Sequence, residues 1–118
     1  MKRRVIWFVG LRITFLAFLV GCVYLGNIRP IASFTATPSH GPSPLNVAFD
    51  ASASSDPDGI IETFFWDYGD GQTASLTIVT TSHLYTVQSV SQVFTVILTV
   101  TDNLGGTDTA VRNISVTP

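Results

Sequence analysis

Residues 31–118 predict an all-β domain: about seven short strands forming a two-sheet antiparallel sandwich. Three observations carry this. Apolar residues alternate at period two, most cleanly where Phe94, Val96, Leu98 and Val100 are interleaved with Thr95, Ile97, Thr99 and Thr101. Turn-forming residues recur at intervals of roughly 8–12 positions. Beyond position 26, no window keeps apolar residues at helical spacing for three turns, and Pro or Gly interrupts nearly every candidate. Ahead of the domain lies an apolar segment, expected to be a signal or anchor helix.

Taken in order, Ile31 to Thr37 reads as a first strand, closed by Pro38 and the turn-rich Ser39-His40-Gly41-Pro42-Ser43-Pro44. Leu45, Val47 and Phe49 then share one face of a second strand, with Asn46, Ala48 and Asp50 on the other. A polar stretch from Ala51 to Gly59 carries the chain across to the next sheet. Ile60 to Tyr68 is a third strand, and Phe64, Trp66 and Tyr68 lie on one face of it. Asp70-Gly71 marks a tight turn, because glycine accepts the positive φ that hairpin turns require. Thr73 to Thr81 supplies one or two further strands, and His83-Leu84-Tyr85 sits at a strand end. After the Phe94–Thr101 strand, Asn103-Leu104-Gly105-Gly106 turns the chain into a last strand, Thr107 to Val116. The expected core is Phe34, Val47, Phe49, Phe64, Trp66, Tyr68, Tyr85, Phe94, Val96, Leu98 and Val100. A disulfide-free sandwich of this size relies on its aromatics, each of which buries about 150–250 Å².

Composition narrows the functional classes. The chain has 118 residues, six basic and eight acidic, for a net charge of −2. Lys2, Arg3, Arg4 and Arg12 hold most of the positive charge; from position 22 onward only Arg29 and Arg112 face all eight acids. A body this acidic has no means of releasing counterions from phosphates, which excludes nucleic acid as its partner. The single cysteine excludes an internal disulfide framework and a Cys-based zinc cluster.

The first 26 residues, MKRRVIWFVGLRITFLAFLVGCVYLG, admit two readings. Val5 to Leu25 is long enough to span a bilayer, which takes about 20 apolar residues. Arg12 would then lie inside the span, at roughly 2.5–3.5 kcal/mol if at mid-depth, less if it snorkels to the cytoplasmic end. Alternatively, residues 1–12 are a positive n-region and Ile13–Leu19 a short h-region before a small-residue cleavage site. Leu19-Val20-Gly21-Cys22 resembles the bacterial lipobox, which implies cleavage before Cys22 and lipidation of that thiol. Either way the body is exported and held at a membrane. The expected organisation is a signal or anchor over 1–22, a linker over 23–30 and a domain over 31–118.

Within that domain, Trp66-Asp67-Tyr68-Gly69-Asp70-Gly71 resembles the WDFGDG motif of the PKD (polycystic kidney disease) domain, with Tyr in place of Phe. Pro44-Leu45, Val47, Phe49-Asp50-Ala51-Ser52, Ser55-Asp56-Pro57-Asp58-Gly59, His83-Leu84-Tyr85 and Val96 to Asp102 followed by Gly105 extend the resemblance over residues 31–117. It implies an immunoglobulin-like β-sandwich, an extracellular setting, and protein–protein or protein–carbohydrate contacts. Two departures stand out. Thr86 to Val93 is longer than the family's turn, with Gln92 where a Gly is usual, and Phe65 occupies a position that is commonly polar.

Four sets of residues are candidates for chemistry. Asp56 and Asp58, joined by Asp50 or Asp67, offer oxygens to a hard cation such as calcium; some bacterial PKD-like domains bind calcium in this region. The bland reading is that these aspartates cap their own turns. Asp67 and Asp70 could pair as glycosidase carboxylates, but they belong to a hairpin motif that the family uses structurally. Ser82 and His83 lack the glycine pattern of an oxyanion hole. Phe65 is either a ligand-stacking platform or a side chain half covered by its neighbour strand. The expected function is a non-catalytic, extracytoplasmic binding or adhesion module tethered to the membrane, requiring no cofactor beyond a structural calcium; the alternative is a structural spacer of a larger surface protein or secreted enzyme.

Overall fold

The structure, a computed structural model, describes residues 26–118. The apolar segment, the expected anchor helix and Cys22 lie outside the described residues. Eight strands follow: β1 (Thr35–Thr37), β2 (His40–Pro42), β3 (Leu45–Asp50), β4 (Ile61–Asp67), β5 (Thr73–Leu76), β6 (Thr80–Tyr85), β7 (Gln92–Asp102) and β8 (Thr107–Thr117). They form a three-stranded sheet in the order β1-β3-β6 and a five-stranded sheet in the order β2-β8-β7-β4-β5. No helix among the described residues is long and apolar enough to cross a membrane.

Three expectations need correction. The stretch from Ser39 to Pro44 is not only a turn, because His40 to Pro42 pair in parallel with Ser115 to Thr117. The chain thus switches sheets between β1 and β2, and the sandwich is not wholly antiparallel. Ser39 O accepts from Ser115 N at 3.0 Å and Ser43 N donates to Thr117 O at 2.7 Å, framing the strand. Pro42 fits there because an edge strand can spare an amide hydrogen.

Second, the first strand is shorter than Ile31–Thr37. Ile31 makes only an isolated bridge with Ser55, and the next two amides bond to side chains instead, Ala32 N to Asp108 Oδ2 and Ser33 N to Ser54 Oγ. Third, residues 27–30, expected to be linker, are fastened to the body. Asn27 Nδ2 donates to Asp102 Oδ2, Ile28 N donates to Asp58 Oδ2, and Pro30 is buried.

All eleven residues expected in the core are buried, together with Leu45, Ala51, Ile114 and Val116. β8 hides its contribution because two of its earlier inward positions, on either side of the core-packed Ala110, are polar. Asp108 receives Ala32 N, while Arg112 donates Nε to Phe34 O at 2.9 Å and lays its guanidinium 5.9 Å from the centre of the Phe34 ring.

Between the sheets the aromatics form a continuous layer. Trp66 from β4 meets Phe34 edge-on at 5.1 Å and Phe49 of β3 at 5.4 Å. Phe49 touches Tyr68 at 5.7 Å, Tyr68 stacks on His83 of β6 at 4.0 Å, His83 meets Tyr85 at 4.8 Å, and Tyr85 reaches Phe94 of β7 at 4.7 Å.

The turn after β4 is seated by Gly69. Its φ is +83°, and a Cβ there would stand 2.4 Å from Thr95 O of β7. Gly71 shares the positive φ, at +95°, but faces open space. Gly71→Ala should therefore cost only the left-handed penalty, about 1–2 kcal/mol, and Gly69→Ala should cost clearly more because backbone must move. Urea unfolding of the two variants of the full chain measures the difference.

Candidate functional site

The ends of β4 and β7 define two ends of the sandwich. At one, Ile61 pairs with Asp102; toward the other, Asp67 pairs with Ile97 and Thr73. Chemistry-bearing side chains gather at both.

At the first end, Asp102 continues the inward alternation of Phe94, Val96, Leu98 and Val100 by one step, placing a carboxylate at the rim of the core with 2% exposure. Oδ1 accepts from Leu104 N at 2.8 Å and Gly106 N at 2.7 Å; Oδ2 accepts from Asn27 Nδ2 at 2.7 Å. Burial pushes this acid up, but the Asn27 amide and the Leu104, Gly106 and Gly105 amides outweigh it and hold the group below the ordinary carboxylate range.

Asp56 is in the opposite situation. Both of its carboxylate oxygens are buried without a hydrogen-bond donor. Burial pushes it up, and the neighbouring Asp58 carboxylate and the negative charge of Asp102 add to the shift. Two glycines make room for the arrangement. A Cβ at Gly59 would lie 2.5 Å from Asn103 Oδ1 and 2.8 Å from Asp56 Oδ2; one at Gly106 would lie 2.6 Å from both Asn27 Nδ2 and Asp102 Oδ2.

The structure brings together Asp56 and Asp58 from the expected calcium set, but not Asp50 or Asp67. Asp50 Oδ1 accepts from Ser52 N at 2.8 Å, and that amide and the Ser52 hydroxyl lower its pKa. Asp67 Oδ1 accepts from Gly69 N at 3.0 Å, about 20 Å along β4 from the acidic loop at the usual rise per residue. Asp102, Asn27 and Asn103 take their places beside the loop. Among the described residues no three His, Cys, Asp or Glu side chains form a ready metal cluster, so the side-chain oxygen of Asn103 matters to any cation bound there. Asp102 was findable by carrying the β7 alternation one residue further; Asn27, 75 residues away, was not.

At the second end stands the turn that carries Trp66 to Gly71. Trp66 is fully buried, and its indole N–H has no hydrogen-bond partner. Asp70 Oδ1 accepts from Gln72 N at 3.1 Å, and its Oδ2 lies 2.7 Å from His83 Nε2. The His83 ring lies flat on Tyr68, tilted by only 1°. Tyr85 donates its hydroxyl to Tyr68 O at 2.9 Å, and burial, then the Asp70 charge, pushes its phenol well above the usual range. His83 is thus engaged with Asp70 and Tyr68. The neighbouring depression, about 530 Å³, is lined by Gly69, Asp70, Gln72, Leu84, Thr86, Gln92 and Phe94. The loop beside it runs from 86 to 91, shorter than the expected Thr86–Val93 because β7 begins at Gln92.

Phe65 lies elsewhere, on the outer face of the five-stranded sheet. It sits between Ser75 of β5 and Thr99 of β7 with 41% exposure, so its neighbour strands cover more than half of it.

Comparison with known proteins agrees with this geometry. A family model described as PKD domain matches residues 27–117; the chain belongs to the PKD domain family. It is 36% identical over 90 residues to the pre-pro-metalloprotease PrtV of Vibrio cholerae, a stretch that is 76% of this chain and 9% of that protein. A solved structure from work on the promiscuous specificity of carbohydrate-binding modules of the β-sandwich superfamily matches with a TM-score of 0.72 and 37% identity, over 78% of this chain and 36% of that one. The PKD1 domain of Epp from Vibrio anguillarum matches with a TM-score of 0.63 and 33% identity, over 78% of this chain and 98% of that one.

The opposite shifts of Asp56 and Asp102 separate two pH windows. In chelator, acidification through the raised pKa of Asp56 toward its ordinary value relieves an unpartnered buried charge and should raise stability. Further acidification, from the ordinary carboxylate value down through the lowered pKa of Asp102, should reduce it. Melting temperatures of Asp56→Asn should lose the first rise and keep the second fall.

Proposed function

We propose that this chain is a non-catalytic, extracytoplasmic binding or adhesion module, tethered to a membrane by its amino-terminal segment and stabilised by calcium at its Asp56–Asp102 end. The observation that carries the reading is the continuous family match over residues 27–117, with its likeness to a structure from work on carbohydrate-binding modules. The engaged side chains point the same way. Asp70 is held by Gln72 N and His83 Nε2, and both Asp102 oxygens accept hydrogen bonds from the chain itself.

Calcium suits the acidic end because hard cations take six to eight oxygens, and burial has stripped Asp56 of any other partner. Asp56 and Asp58 are the carboxylate donors in this reading, joined by the side-chain oxygen of Asn103, which shares the space beside Gly59 with Asp56 Oδ2. Because Asn27 and Ile28 bond to Asp102 and Asp58, a bound cation would also brace the start of the domain. Its chemistry is charge compensation.

Calcium in large excess over its Kd should stabilise the full chain, by about 2.7 kcal/mol at a hundredfold excess, and the gain should vanish in Asp56→Asn. A melting temperature indifferent to calcium and chelator would remove the cation from the reading. For the tether, a fatty-acid probe should label the native chain in bacteria and not Cys22→Ser; equal labelling of the two would remove lipidation.

The binding role is tested by presenting the fluorescently labelled full chain to arrays of polysaccharides and extracellular-matrix proteins. Retention on at least one class, lost on thermal unfolding, is the expected result. Failure on both leaves the structural-spacer reading.

A further inference from the structure

We propose that the depression at the Asp70–His83 end of the sandwich is a subsite for a neutral sugar. This rests on the binding-module reading above and assigns that module a place and a ligand class. The hollow lies between the Gly69–Gln72 turn, the end of β6 and the start of β7, and its volume of about 530 Å³ falls within the roughly 300–1,000 Å³ usual for small-ligand sites.

Its lining matches the chemistry of a pyranose. Gln72, Thr86 and Gln92 are exposed and line it, so two residues with side-chain amides and one with a hydroxyl border one hollow. Each can both donate and accept, as can each hydroxyl of a sugar. Leu84, 53% exposed, offers an apolar ledge for the C–H face of a ring, and Phe94 closes the floor.

Charge selects the neutral form. Among the described residues that line it, Asp70 alone is ionisable, and the adjoining His83 Nε2 and Gln72 N already engage it. Among the described residues no lysine or arginine lines the hollow, so a carboxylated or sulfated sugar would meet a carboxylate and no cation from them.

The walls are also fixed before any ligand arrives. Gly69 is wedged against Thr95. Val87 N donates to Ser43 Oγ at 2.9 Å, pinning the start of the loop from 86 to 91 that forms the lip. A site built on such supports loses little freedom on binding. The loop from 86 to 91 and Gln92 at the start of β7 thus border one feature.

The test is an amide-shift titration of isotope-labelled full chain, held in dodecylphosphocholine micelles so that no sugar detergent competes. Cellohexaose, xylohexaose and chitohexaose are the neutral probes, and a galacturonic acid hexamer is the acidic control. The expected result is saturable shifts confined to Gly69–Gln72, Leu84–Thr86 and Gln92–Phe94 with at least one neutral probe, with a Kd of about 0.1–1 mM. Gln72→Ala and Gln92→Ala, both surface changes, should each weaken binding by about fivefold, as expected for a lost hydrogen bond. Shifts centred instead on Phe65, Thr99 and Val111 would overturn the site while leaving a binding module. Equal response to the acidic hexamer would overturn the ligand class. Silence with every neutral probe would overturn the assignment, while the matrix-protein array judges the broader reading separately.

Discussion

The two sheets share few backbone contacts, and what joins them is the aromatic layer around Trp66. Its ring lies edge-on to Phe34 and tilted over Phe49, and the series continues through Tyr68, His83 and Tyr85 to Phe94. Such pairs contribute about 0.5–1.5 kcal/mol each beyond the area they bury. Against this stands the unpartnered indole N–H of Trp66, a cost of about 1–3 kcal/mol. The burial of a full indole at the centre of the layer offsets it.

A core organised this way leaves function to the ends. Alternation commits every inward position of β3, β4 and β7 to packing until the strands run out. At one end the next inward residue is Asp102, which gathers the incoming chain and stands beside the acidic loop. At the other, the motif carries its aspartates past β4 into a turn, where Asp70 holds His83. The same frame therefore presents one end with unsatisfied carboxylate oxygens and another whose carboxylates, Asp67 and Asp70, are already engaged. The outer sheet faces carry mostly threonine and serine, with Phe65 partly covered among them.

Much of this was legible in the amino-acid order, for reasons that also explain what was not. Period two located β3, β4 and β7 and their core faces, because strands buried on one side write their environment into every second residue. The motif from Trp66 to Gly71 then fixed the family. β2 escaped because Pro38, Pro42 and Pro44 read as a turn, and only its partner β8 makes three of those residues an edge strand. Ile114 and Val116 escaped because Asp108 and Arg112 break the alternation of β8, each serving the segment that leads into β1. The acidic loop was visible as Asp56 and Asp58, whereas local sequence could not show that Asp50 and Asp67 turn to their own amides while Asp102 and Asn27 arrive from 46 and 29 residues away.

The central claim is that the aromatic layer makes the two sheets one cooperative unit. Native-state hydrogen exchange of the backbone amides tests it most directly, since it resolves the opening free energy of each strand. Amides at the centres of β3 and β7 should exchange with the same free energy, equal to that of global unfolding. If β3 and β6 open at a distinctly lower free energy while β4, β7 and β8 stay protected, the sheets are held independently and the account is wrong.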